Sequence, residues 1–376
     1  MQIRDLKAQY MRLKPEMDAA IASVIDSTQF IRGEQNDRLE EKLADYVGVK
    51  HCIACANGTD ALEVALKAMG VGAGDAAFVP DYTFLSTAEA VSTNGATPVF
   101  VDVYYDTFNM SVESLETAIE KTLREGKLCP KVIIPVGLFG LPADHVRLNE
   151  VAKKYDLFIL EDAAQSVGGT IGNQKACSFG DIATTSFFPA KPLGCYGDGG
   201  AIFTDNDEWA DYMRSICLHG KGNKSKFESI RTGRNSRLDT LQAAILEVKL
   251  KAFIDFELEA VNQVARWYAD NLNKCYECPV IPEGYYSSFA QYTIKIKDFG
   301  KREEIMKKLA EKGISSVIWS PVPLHRQVAY QDLMYQDEDF PVTEKIVKSV
   351  LGLPMGADIK ESEVLMVTDI LNSMKS

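Results

Sequence analysis

The sequence predicts an α/β protein, with a mostly parallel seven-stranded sheet in a large domain over residues 1–240 and a smaller α+β domain over 241–376. Three observations predict it. Short continuous apolar runs alternate with stretches of helical apolar spacing, the pattern of strands buried on both faces beneath covering helices. At 376 residues with 46% hydrophobic content, the chain has the length for about two domains and the material for their cores. No repeat or low-complexity linker divides it, so a helix rather than a flexible tether is expected at the junction.

Taken in order, residues 36–47 carry helical spacing and HCIACA (51–56) is a short apolar strand. A helix over 58–69 follows, then a strand at AAFVP (76–80) and a helix over 83–94. TPVFVDV (97–103) reads as a strand, 112–123 as a helix, KVIIPV (131–136) as a strand and 143–155 as a helix. LFILE (157–161), IATTSF (182–187) and GAIFT (200–204) complete the seven strands, the last leading into a helix near Trp209. Beyond residue 240, helical patterns at 241–253 and 258–272 precede a strand at 292–296, a helix at 302–312 and a strand at 316–319. Two more helices close the chain.

The net charge of −12 and a pI near 5.0 argue against nucleic acid or an anionic membrane as a general partner. An anionic ligand therefore needs a local basic site. The amino-terminal MQIRDLKAQYMRLKPEMDAAI is charged and amphipathic, without an apolar core of signal-peptide length, and no apolar run reaches membrane-spanning length. A cytoplasmic location is expected. Two cysteine pairs, Cys52/Cys55 and Cys275/Cys278, have zinc-ligand spacing. In an extended strand residues i and i+3 face opposite sides, so Cys52 and Cys55 cannot share one metal; reduced structural cysteines and no metal site are expected.

Ligands of such sheets bind at the carboxyl ends of the strands, so the residues just beyond each strand matter most. After HCIACA, Asn57-Gly58-Thr59-Asp60 opens a helix, offering backbone N–H groups, a hydroxyl and the positive helix end to an anion. Asn and Thr are also ordinary helix caps, and the motif alone leaves both readings open. Asp162 follows LFILE, where a lone carboxylate is costly unless it faces a cation or a donor; capping the next helix is its alternative role. After IATTSF comes SFFPAKPLGCYGDGGA, with Lys191 held between Pro189-Ala190 and Pro192. Pro192 steers Lys191 away from helical geometry, and Gly194, Gly197, Gly199 and Gly200 are expected to let the turn close. A lysine kept only for solubility fits poorly in so stiff and apolar a setting.

Pyridoxal 5′-phosphate needs an amine for a Schiff base, a carboxylate for its ring nitrogen, an anion cup and an aromatic surface, and the chain offers each. Only about one free lysine in a few thousand is neutral at pH 7. Partial burial and a neighbouring cation are expected to lower the pKa of Lys191 and free its nucleophilic amine.

The segments NGTDALEVAL, DYTFLSTAEAV, GLFGLPAD, LEDAAQSVGGT, SFFPAKPLGCYGDGGA, GRNSRLDTLQAAIL and PVPLH, with the amino-terminal DLKAQYMRLKPEMDAAI, resemble the DegT family of pyridoxal-phosphate-dependent sugar aminotransferases over nearly the whole chain. The resemblance implies the fold-type I aminotransferase architecture and a homodimer with active sites shared between subunits. It makes Lys191 the Schiff-base lysine and general acid/base, and Asp162 the partner of the pyridine nitrogen. It places Gln165 beside the ring and its phenolic oxygen, and Phe84 against the ring face. Gly58, Thr59 and Ser186 would hold the phosphate, with Asn235 reaching it from the other subunit. Arg237 from that subunit and His325 in PVPLH would meet substrate. Relatives that carry histidine in place of the lysine are dehydratases, so Lys191 favours amino transfer.

Between His219 and Arg237, HGKGNKSKFESIRTGRNSR holds six Lys or Arg against the single acid Glu228. A solvated loop is the plain reading; beside Asn235 and Arg237, a role in holding a diphosphate or carboxylate competes with it. By resemblance the amino donor is L-glutamate and the acceptor a keto-sugar nucleotide. FFPAKPLGCYGDGG is most similar to the branch acting on UDP-2-acetamido-2-deoxy-ribo-hex-3-uluronate for surface polysaccharides. A dTDP-3-keto-6-deoxyhexose 3-aminotransferase and a 4-keto sugar aminotransferase are the alternatives. From other classes, a non-catalytic regulator that binds cofactor and nucleotide sugar leaves a full catalytic set without use. A Schiff-base aldolase leaves Asp162 and the anion cup without use.

Overall fold

The computed structural model describes residues 1–222 and 228–374. In chain order its first strands are β1 (His51–Cys55), β2 (Asp75–Pro80), β3 (Thr97–Val101), β4 (Cys129–Ile133), β5 (Phe158–Asp162), β6 (Thr170–Ile171), β7 (Gln174–Lys175), β8 (Ile182–Ser186) and β9 (Gly200–Thr204). Seven of them form one sheet in the order β1-β9-β8-β5-β4-β2-β3. The pairs β2/β3, β2/β4, β4/β5 and β5/β8 are parallel. Only β9 is reversed, antiparallel to both β1 and β8. This is the α/β architecture that the alternating pattern predicts.

The strand centres are largely apolar because both faces of the sheet are covered. In β1, Ile53 and Cys55 pack with Leu62, Leu66, Val79 and Ile216, while Cys52 and Ala54 pack with Leu39, Leu43 and Leu246 on the other face. The strand thus turns Cys52 and Cys55 to opposite sides, as its two-residue period requires. A fully buried Leu or Ile contributes about 2 kcal/mol through the water it leaves, which makes these two layers the main stabilising feature of the sheet.

The later strands are β10 (Tyr276–Glu277), β11 (Tyr285–Tyr286), β12 (Tyr292–Ile296) and β13 (Val350–Leu353). A three-stranded sheet, β10-β12-β13, is antiparallel, and helices Leu258–Asn271, Arg302–Glu311 and Glu361–Ser373 close a separate core around it. The expected link through a helix is present: helix Thr240–Ala252 runs through a π-helical turn, Phe253–Glu257, into Leu258–Asn271. Ala243, Leu246 and Phe253 pack into the large-sheet core, whereas Val261, Val264 and Tyr268 pack into the smaller one. One helix therefore belongs to both cores.

Three details differ from expectation. Residues 316–319 make only a single bridge, Val317 to Gly352, because Ser320 takes a positive φ of 45° and Pro321 and Pro323 follow. The strand in that region is Val350–Leu353, which directly follows helix Pro341–Ser349. The helix expected from residue 83 begins only at Ser86, so Thr83, Phe84 and Leu85 form a turn that faces the main cavity.

Candidate active site

Asp162 ends β5 and Ser186 ends the neighbouring β8, while Gly58 and Thr59 open the helix that follows β1. All four thus lie at the carboxyl edge of the parallel strands, where the strand ends leave a crevice. Gly58, Thr59, Phe84, Asp162, Gln165, Ser186 and Lys191 line one cavity of about 790 Å³.

The helix start is shaped to receive an anion. The Asn57 carboxamide oxygen accepts the Asp60 N–H at 2.8 Å and the Asn57 carbonyl accepts the Ala61 N–H at 3.1 Å. The N–H groups of Gly58 and Thr59 are left with no intrahelical partner. Ser186 Oγ accepts the Phe188 N–H at 3.2 Å, which leaves its hydroxyl proton free to donate. Thr59 Oγ1 donates to Ser86 Oγ at 2.9 Å, tying the cup to the turn that carries Phe84. A Cβ on Gly58 would stand 2.8 Å from Ser186 Cβ, so only glycine lets the helix start approach the end of β8 this closely.

Asp162 is buried, with one carboxylate oxygen accepting from Thr87 Oγ1 at 2.9 Å and the other from the Ala164 N–H at 3.1 Å. Burial raises its pKa, and those two bonds together with the charge of Lys191 act against that rise. Gln165 Oε1 accepts the Phe139 N–H at 3.0 Å, fixing the side chain on the cavity wall. Phe84 is 64% exposed and Phe188 53%, two aromatic side chains turned into the cavity instead of a core.

Lys191 sits on a tight turn in which its N–H donates to the Phe188 carbonyl at 2.8 Å. Burial lowers the pKa of its amine, and the Asp162 charge opposes this. The expected neighbouring cation does not contribute: burial is what lowers the pKa. None of Gly194, Gly197, Gly199 and Gly200 has positive φ. Gly194 and Gly200 let the chain close by near approach, since a Cβ would come within 2.5 Å of Phe188 O at Gly194 and of Asn57 O at Gly200.

A match to the model of the DegT/DnrJ/EryC1/StrS aminotransferase family spans residues 11–372. The chain belongs to this family. It is 41% identical, over 98% of its length and 99% of the relative, to a UDP-2-acetamido-2-deoxy-3-oxo-D-glucuronate aminotransferase of Pseudomonas aeruginosa. It is 40% identical, over 97% of its length and 96% of the relative, to a protein of Geobacillus stearothermophilus described as a pleiotropic regulatory protein. A crystal structure of a DegT DnrJ EryC1 StrS aminotransferase from Brucella abortus matches with TM-score 0.95 and 46% identity over 99% of both chains. A Bacillus subtilis protein solved with bound cofactor PMP matches with TM-score 0.86 and 29% identity over 96% of this chain and 82% of that one. The protein is a pyridoxal-phosphate-dependent aminotransferase.

Three of the expected residues stand apart from this aminotransferase's cavity. Asn235 is exposed and Arg237 half-buried, and neither lines it. His325 is buried with its ring stacked on Phe340 at 4.7 Å, Nδ1 2.7 Å from Asp81 and Nε2 3.3 Å from Asp337. Burial pulls its pKa down, but the adjoining carboxylates outweigh this and raise it. Within one chain, then, His325 is held by acids and turned away from the cavity.

The basic stretch divides similarly. Lys224 and Lys226 lie outside the described residues. Arg234 is engaged by Asp60 and Glu63, and Arg231 lies over the Tyr212 ring at 4.6 Å. Arg237 makes no ion pair among the described residues. Sequence reasoning passed over Thr87, Ser86 and Arg4. Ser86 and Thr87 read only as the body of a helix, and Arg4 as one charge in an amphipathic segment.

Proposed function

We propose that the protein transfers an amino group from L-glutamate to the keto group of a nucleotide-linked sugar, the 3-keto group of UDP-2-acetamido-2-deoxy-ribo-hex-3-uluronate, for surface polysaccharide precursors in the cytoplasm. The observation that carries amino transfer is Lys191 and Asp162 facing one cavity beside the open start of helix Gly58–Ala68. The acceptor rests on 41% identity across nearly the whole chain to a relative named for that 3-oxo sugar. A cavity of about 790 Å³ lies in the range that takes a ligand of substantial size.

Bound there, pyridoxal 5′-phosphate supplies an aldehyde that takes up an amine and a ring that accepts electrons. Gly58, Thr59 and Ser186 would donate hydrogen bonds to its phosphate. The Asp162 carboxylate, held by Thr87 and Ala164, would keep a proton on the ring nitrogen. Phe84 would pack against the ring, with Gln165 beside it. Lys191 Nζ would take the proton from the substrate carbon that bears the amine and deliver it to the former aldehyde carbon, the reverse movement serving the keto sugar. Asn235 and Arg237 serve the cavity of a second copy in a homodimer; their distance from the wall of their own cavity supports this division.

Isotopically labelled L-glutamate, incubated with the holoenzyme and a panel of UDP- and dTDP-linked 3-keto and 4-keto sugars, tests the reading by mass measurement of the products. Label should appear in the 3-keto uronate product first and fastest. Label only in a 4-keto sugar, or in none, contradicts it; the latter outcome favours the regulatory reading that the Geobacillus relative's description suggests.

A further inference from the structure

The first residues of the chain lie along the smaller sheet: the Ser315 N–H donates to the Met1 carbonyl at 2.9 Å and the Met355 N–H to the Ile3 carbonyl at 2.9 Å. This places Ile3 and Arg4 on the cavity wall, together with Lys191 and Asp162. Arg4 Nη2 donates to the Pro192 carbonyl at 3.3 Å, one residue beyond Lys191. No carboxylate of the described residues comes within 4.0 Å of the Arg4 guanidinium. Glu257 and Asp358, the acids whose charges reach it, are both held by Arg12, at 2.6 and 2.7 Å.

Arg4, Arg12 and Lys249 share this region with the carboxylates of Glu257 and Asp358. Burial lowers the pKa of the Arg4 guanidinium, and the charges of Glu257 and Asp358 act against that. A guanidinium in such a setting with no ion pair of its own among the described residues is costly unless an anion reaches it. Arg4 is the cation of the group that lines the cavity. Its guanidinium uses one hydrogen bond here and has further donors in the fork geometry that matches a carboxylate.

We propose that Arg4 binds a carboxylate of the substrate and thereby selects acidic substrates. The inference rests on the function proposed above and deepens it. The carboxylate is one borne by the amino donor or the one at carbon 6 of a uronate sugar, and both present the same chemistry.

The test uses full-length holoenzyme carrying Arg4→Met or Arg4→Lys, with the two half-reactions followed separately. The donor half compares L-glutamate with L-glutamine and with the α-amide of glutamate. The sugar half compares the UDP-linked 3-amino uronate with its neutral hexose counterpart. Arg4→Met should weaken the carboxylate-bearing probe of one pair by on the order of ten- to a hundredfold and its neutral counterpart far less, as loss of a charge-assisted bond implies. Arg4→Lys should recover part of the loss, and the pair that splits identifies the carboxylate. Equal loss for all probes would show that Arg4 only pins the Lys191 turn and would overturn the proposal, as would no loss for any. A wild-type enzyme inert toward every probe would instead sink the function reading and this inference with it.

Discussion

At Lys191, two effects of opposite sign meet: removal of water from the amine lowers its pKa, and the carboxylate of Asp162 raises it. The first wins, so the amine gives up its proton more readily than a free lysine does. In the proposed role Lys191 is both the covalent anchor for the cofactor and the proton carrier. Lys191→Ala should reduce transamination by at least roughly a thousandfold, the upper range for general acid–base groups, with melting temperature close to wild type. Single-turnover assays with added amine and thermal unfolding check both parts; activity within tenfold of wild type would contradict the role. Lys191 and Asp162 were legible in the sequence because each follows an apolar strand, and a polar group there has few reasons to exist. Thr87 and Arg4 were not: Thr87 acts through a contact with a residue 75 positions away, and Arg4 through one 188 away. Local spacing cannot encode such contacts.

The elements around the site are held by close approach. Gly58 brings a helix start against β8, and Gly200 brings β9 beneath Asn57. A Cβ at Gly200 would lie 2.5 Å from the Asn57 carbonyl oxygen, backbone that cannot swing aside like a side chain. Gly200→Ala should destabilise the fold by about 1–3 kcal/mol and weaken cofactor binding, since Asn57 caps the helix that forms the anion cup. Denaturant unfolding and a cofactor titration measure the two effects, and an unchanged midpoint would show that the strand ends can separate freely. Turn residues in the sequence announced that the chain reverses here, but not the reason for glycine: the need is steric crowding from Asn57, more than 140 residues upstream, rather than a left-handed backbone. The same limit explains residues 316–319. Their apolar character suggests a strand, yet the positive φ of Ser320 and the two prolines leave room for only one bridge.

Across the whole molecule, one helix crosses from the large-sheet core to the smaller core, and the amino-terminal residues return along the smaller sheet to the cavity wall. We propose that the division into two domains runs through this helix near its π-helical turn, rather than at its start. Among the described residues no helix is long and apolar enough to cross a membrane. The assignment of Asn235 and Arg237 to a neighbouring subunit has a test that depends on assembly. Lys191→Ala and Arg237→Ala subunits, each inactive alone, should together regain about a quarter of wild-type activity after unfolding and joint refolding, because mixed dimers contain one intact site. No recovery from the mixture would place both residues in the same chain's site. The alternation of seven strands and covering helices was legible because each element has its own period.

The central claim, that Lys191, Asp162 and the open helix start form an amino-transferring site, is tested most directly by the visible absorbance of purified protein loaded with pyridoxal 5′-phosphate. L-Glutamate should bleach the yellow form to the amine form of the cofactor, and the 3-keto uronate should restore it, with Lys191→Ala showing neither change at a comparable rate. A yellow wild-type protein whose spectrum ignores glutamate and every other amino donor would contradict the account.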